Sequence, residues 1–246
     1  MQKHNWKVTV AFILMFMSAL IYAINYLIFK NPHDIFFYMT IDIAFLPINV
    51  LFVTLLIDTL LSQREKKSML DKLNMVIGTF FSEVGLNLLK SFNEYDKNLE
   101  IISGNLTKIN DWSKKDYLKF KSNIINYESK IIINRDEEET LKRNLLDKRD
   151  FLLRLLENPN LLEHETFTEL LRAVFHLTEE MANRESFENQ PEADCRHIEI
   201  DIKRAYLLLV KEWLSYMEYL KNLYPYLYSL AVRQNPFNKN STVTIS

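Results

Sequence analysis

Two long apolar runs lie near the start of the chain. Between Val8 and Phe29 the run VTVAFILMFMSALIYAINYLIF holds no charged residue. A helix rising about 1.5 Å per residue crosses a hydrocarbon core of about 30 Å over such a length. A second apolar run, from Ile35 to Leu61, is at least as long but is interrupted by Asp42, Pro47, Asn49 and Asp58. The pattern predicts two membrane-spanning helices, over 8–29 and 35–61, joined by a turn at Lys30 to Asp34. The first run exceeds the apolar region of a secretory signal, about 7–15 residues, and lacks a small-residue cleavage pattern, so it is expected to remain as a span.

After Leu61 the pattern changes without a helix breaker. Ser62 to Lys67 is polar, and then Leu70, Leu73, Ile77, Phe80, Phe81, Val84, Leu88 and Phe92 recur at helical spacing. The second span is therefore expected to continue as the first helix of a following domain. Gly78 and Gly85 share one side of it and would admit a close neighbour. A loop is expected from Asn105 to Asn110, then a helix over 113–127 opened by a cap in which Asp116 answers Ser113. Lys130 to Ile133 fits either an extended piece or a buried turn. Charged helix follows from Asn134 to Glu157, acids first and bases later as the helix dipole favours. Asn158, Pro159 and Asn160 break it. Further helices are expected over 161–184 and from Pro191 to Tyr224, with a loop at 185–190 between them and a kink or restart at Pro225. Asn235 to Ser246 has no periodicity and reads as a flexible tail. The resulting division is a hairpin (1–62), a helical domain (63–233) and a tail (234–246).

Composition narrows the class to all-α. Three glycines and six prolines leave little material for the turns of a β fold. A formal net charge of -2 gives no nucleic-acid footprint. The lysines of 113–127, interleaved with aromatics, read as a solvated face. Positive charge brackets the hairpin, with Lys3 and Lys7 before it and Arg64, Lys66 and Lys67 after it. Both termini of a multi-pass cell-membrane protein are then expected to be cytoplasmic. Arg64, Lys66 and Lys67 are the expected lipid-headgroup contacts of a chain whose first partner is the bilayer. Cys195, the single cysteine, has no partner for an internal disulfide and reads as an incidental thiol.

Two sets of residues carry candidate chemistry. Asp42, Phe45, Asn49, Phe52 and Leu56 fall on one face of the second span. An intramembrane carboxylate is a functional hypothesis by default. In a homo-oligomer this face would line a path with an acidic ring selecting cations and apolar rows able to dewet. The competing reading is structural: Asp42 at the outer interface and Asn49 bonded to a neighbouring helix or to backbone freed by Pro47. The second set is His176, Glu180, Asp194, His197 and Asp201, at helical spacing on two successive helices. Imidazoles with carboxylates suit a divalent metal such as zinc or iron. His164, Glu165 and Glu179 are outlying candidates. A di-iron bundle would need two Glu-x-x-His elements, and only Asp194-x-x-His197 approaches one.

Phosphate-loop, serine-hydrolase, zinc-protease and paired-cysteine signatures are missing. The preferred reading is a non-enzymatic oligomeric membrane protein, a cation-permeable channel with a cytoplasmic helical assembly or sensing domain. The alternatives are a membrane-anchored metal-binding bundle, with an oxidoreductase as one form of it, and a membrane tether for a partner protein.

Overall fold

A computed structural model describes residues 2–159, 161, 164–188 and 190–241; the side chains of residues 2–5 and 7 are outside it. The expectations that fall on Lys3 and Lys7, Asn160, Leu162, Glu163, Asn189 and 242–246 lie beyond the described parts. Helix dominates throughout, as the scarcity of turn residues requires. Among the described residues extended pairing is confined to one antiparallel bridge between Asp96 and Ile131.

The chain divides into two units, 1–67 and 68–246. The first consists of α1 (Gln2–Phe29) and the opening part of α2 (Pro32–Phe80). Both are long and apolar enough to cross a membrane. From Trp6 to Lys67 the described side chains are exposed, save for half-buried Val10, Ile35 and Met39. The turn has local causes. Lys30 takes the left-handed conformation (φ 47°) that ends many helices, and its N–H bonds the Tyr26 carbonyl at 2.9 Å. Pro32 occupies the first position of α2, where no N–H is needed, and the Asn31 amide donates to Asp34 at 2.6 Å. Within the apolar stretch, Thr40 and Thr59 return their hydroxyls to the carbonyls of Phe36 and Leu55, so these two donors stay paired within the helix. Pro47 lies inside α2 without ending it.

Helix α2 runs on past Lys67, as expected, and continues through a π turn, Phe81–Gly85, into α3 (Leu86–Tyr95). The wider turn lets adjacent Phe80 and Phe81 both reach the core. Phe80 meets Phe167 edge-on, with ring centroids 5.3 Å apart, while Phe81 stacks on Tyr216 at 5.5 Å. A Cβ on Gly85 would sit 2.6 Å from the Phe81 ring, so glycine here leaves room for that ring against the turn.

The second unit continues with α4 (Glu100–Leu106), a 3-10 turn (Ile109–Asp111), α5 (Lys114–Ile124), α6 (Arg135–Asp147), α7 (Arg149–Leu156), α8 (Glu165–Ala182), α9 (Glu192–Leu223) and α10 (Pro225–Arg233). Helix α9 is its axis, packing against α3, α5, α8 and α10, while α8 also receives α6 and α7. Ile198, Ile202, Ala205, Tyr206, Leu209, Trp213 and Met217 form its buried stripe at steps of three and four.

Three local expectations are corrected, and the open reading of Lys130 to Ile133 is resolved. Gly104 lies inside α4, and the expected loop after it contains a 3-10 turn. Lys130 to Ile133 is non-helical: Ile131 bridges to Asp96, whose buried carboxylate accepts bonds from the Tyr127 hydroxyl, the Lys130 N–H (2.9 Å) and the Asn98 N–H (3.0 Å). The charged helix is two helices, because Lys148 leaves helical geometry (φ -100°, ψ 2°) between α6 and α7. The expected flexible tail is docked at its start. Asn235 donates to the Leu106 carbonyl (2.9 Å), and buried Phe237 rests against Trp213, with ring centroids 5.1 Å apart. The Ser113 and Asp116 cap and the restart at Pro225 stand as expected.

Candidate functional site

Helices α8 and α9 run side by side in the bundle, which brings the two His and carboxylate pairs of neighbouring helices together. His176 and Glu180 are one turn apart on α8; His197 and Asp201 are one turn apart on α9. The Nε2 atoms of both imidazoles face the same oxygen, Asp201 Oδ2, at 3.4 Å from His176 and 3.5 Å from His197. Glu180 closes the group, with Oε2 3.7 Å from His197 Nε2 and Oε1 4.0 Å from His176 Nε2. Both imidazoles are about half exposed, whereas Asp201 is only 2% exposed and forms the floor. Neither of its carboxylate oxygens accepts a hydrogen bond. Arg204 Nη1 stands 3.3 Å from Oδ1.

Asp194 does not join the imidazoles. It grips Arg184, with Nε to Oδ2 at 3.1 Å and Nη2 to Oδ1 at 2.7 Å. Arg184 Nη1 in turn donates to Glu180 Oε2 at 2.9 Å and to the Glu180 carbonyl. These hydrogen bonds hold the carboxyls of both Glu180 and Asp194 below the usual carboxylate range and raise the Arg184 guanidinium further. Asp194 therefore orients Glu180 through Arg184. The outlying candidates are occupied elsewhere. His164 caps α8, its Nδ1 accepting from the Phe167 N–H at 3.2 Å, and Glu179 pairs with Arg149 at 2.7 Å. Glu165 is exposed at the first turn of α8. Sequence spacing named Asp194 as a ligand and gave no weight to Arg184, whose position four after Glu180 was the available signal.

On α2, Asp42, Phe45, Asn49, Phe52 and Leu56 lie on one face, and all are exposed within the chain. Arg64, Lys66 and Lys67 are exposed beyond them on the same helix. No described residue of the chain covers this face.

Comparison with known proteins gives a continuous match. Residues 2–61 match a family described as "MJ1433, N-terminal helical domain", and residues 69–233 match "Uncharacterized protein MJ1433, C-terminal helical domain". A relative in Methanocaldococcus jannaschii, "Uncharacterized protein MJ1433", is 45% identical over 247 residues, spanning 99% of this chain and 98% of its own length. The chain belongs to the MJ1433 family. Both halves of the MJ1433 family are helical by description, as is every long element here. The match to the C-terminal half of the MJ1433 family contains all four residues of the α8 and α9 cluster, and the match to the N-terminal half contains the Asp42 and Asn49 face. No solved structure matches the chain.

Proposed function

We propose that the chain is an integral membrane protein with both termini cytoplasmic, whose hairpins associate with copies of themselves around a cation-permeable path. The helical bundle serves as the assembly or sensing domain. The observation that carries this reading is the uncovered hairpin. The apolar stretch of α1 and the opening part of α2, up to Leu61, bury almost none of their side chains within the chain. Exposed apolar surface on this scale calls for lipid or a partner. Within it, Asp42 and Asn49 expose polar groups whose desolvation in lipid costs several kcal/mol, about 2.5–3.5 for a central carboxylate on insertion scales. A water-filled path shared by several copies removes that cost. Arg64, Lys66 and Lys67 then meet the headgroups of the cytoplasmic leaflet.

Full-length protein in lipid nanodiscs is expected to be a homo-oligomer by single-particle mass. Liposomes containing it are expected to pass monovalent cations in a dye-flux assay, with Asp42→Asn reducing the flux while the oligomer persists. A monomer in bilayers, or oligomers that leave liposomes impermeable, would overturn the reading.

A further inference from the structure

We infer that His176, Glu180, His197 and Asp201 form a binding site for one divalent first-row transition ion of zinc type. Their spacing separates a metal site from an ion-paired network. An N–H donor bonded to a carboxylate stands about 2.7–3.2 Å from it. The imidazole to Asp201 distances, 3.4 and 3.5 Å, are longer than that. A tetrahedral ion with bonds of about 2.0–2.2 Å instead holds its ligand atoms about 3.3–3.6 Å apart, by simple geometry. Both Asp201 edges fall in that interval. Glu180 turns a different oxygen to each imidazole, Oε2 at 3.7 Å from His197 and Oε1 at 4.0 Å from His176, both beyond that interval; with Oε2 held by Arg184, Oε1 is the oxygen left to turn towards the ion.

The second observation is Asp201 itself. A carboxylate buried to 98% and accepting no hydrogen bond is expensive to hold charged unless a cation faces it. Its Oδ2 is aimed at the point where both Nε2 atoms converge. The Arg204 contact lies on the other oxygen, Oδ1, and comes from a side chain that is 55% exposed. Two neutral imidazoles and two carboxylates balance a divalent charge. Two nitrogen donors favour zinc, cobalt or iron(II) over calcium and magnesium, which prefer all-oxygen sets. The exposed imidazole edges leave an entry from solvent, and the chain of Asp194, Arg184 and Glu180 supplies the outer support that fixes a ligand carboxylate. With one ligand pair on each helix, the bound ion cross-links α8 to α9. This inference concerns each chain singly and holds whether or not the hairpins form a path.

The test uses full-length protein in lipid nanodiscs, stripped with chelator and titrated with Co2+, whose visible absorption reports four-coordinate geometry. One Co2+ per chain is expected, displaced by Zn2+ and unaffected by millimolar Ca2+ or Mg2+. His197→Ala and Asp201→Asn are each expected to abolish the absorption, and Asp194→Asn to weaken binding about 10–100-fold. Asp201→Asn preserves side-chain volume, so circular dichroism is expected to show a folded bundle that takes up no ion. Folded wild type that takes up no Co2+, uptake that persists in both His197→Ala and Asp201→Asn, or equal uptake of Ca2+ would overturn the inference.

Discussion

Glu138 is an acid in the wrong place for its charge. It is almost wholly buried on α6, and desolvation first, then the charges of Asp194 and Glu199, push its carboxyl above the ordinary value of 4.5. The folded chain thus holds this proton more tightly than the unfolded chain does. Its contribution to stability is complete below the unfolded value and is lost as pH rises through the raised folded value. Glu138→Gln, which mimics the protonated form, is expected to raise the melting temperature at pH 7. The gain should shrink towards zero by about pH 4, where the wild-type carboxyl is itself protonated; melts followed by circular dichroism at the two pH values check this. Spacing alone could not single out this residue. Glu138 reads in the sequence as one of four consecutive acids, Asp136 to Glu139, and only the packing of α6 on α8 decides which of them is turned inward. Asp201 shows the same limit: its place one turn from His197 is plain in the sequence, its burial is not.

At the scale of elements, the contact between α2 and α9 rests on a missing side chain. A Cβ on Gly78 would come within 2.6 Å of the Tyr216 hydroxyl oxygen and 3.3 Å of the ring carbon that bears it. Tyr216 cannot swing freely, since its ring is stacked on Phe81. Gly78→Ala is therefore expected to destabilise the chain by about 1–3 kcal/mol, despite the helix preference of alanine, worth about 1 kcal/mol. Adding Tyr216→Phe removes the nearest atom and should restore most of the loss, as chemical denaturation of both variants would show. The close approach was legible because glycine is rare here and Gly78 falls on the core side of a helical pattern. Caps were legible for the same local reason. The Ser113 N–H donates to Asp116 Oδ2 at 2.7 Å, the box named from Ser-x-x-Asp spacing. The break at Lys148 was not legible. No glycine or proline marks it, so α6 and α7 are divided by how each packs on α8, a tertiary effect that no propensity reports.

At the scale of the molecule, the all-α class and the apolar hairpin followed from composition and run length, which are properties of the whole chain. The docking of 235–237 did not, because three residues have no period. Their anchorage is long-range. Asn93 Nδ2 donates to the Pro236 carbonyl at 3.0 Å, Tyr206 donates to Asn93 Oδ1 at 2.7 Å, and Phe237 fills the space beside Trp213. Phe237→Ala should cost about 3–5 kcal/mol, the range for removing a buried aromatic ring. Such a loss, read as a lowered denaturation midpoint with unchanged helix content in the native baseline, is far beyond what trimming a loose tail would do. A change within about 0.5 kcal/mol would show that the segment contributes nothing to the core.

That anchorage also imposes a schedule on biosynthesis. Asn93 meets the Pro236 carbonyl across 143 residues of chain, and a ribosome delivers the first partner long before the second. Until residue 237 has emerged, Trp213 lacks its ring partner and Asn93 lacks its acceptor, so every shorter nascent chain carries an open seam along α9. Arrested or clipped chains would differ from finished ones at that seam, where a chaperone or protease has apolar surface to grip. Completion of the core is thus tied to translation reaching Phe237, and the molecule carries its own mark of having been made that far.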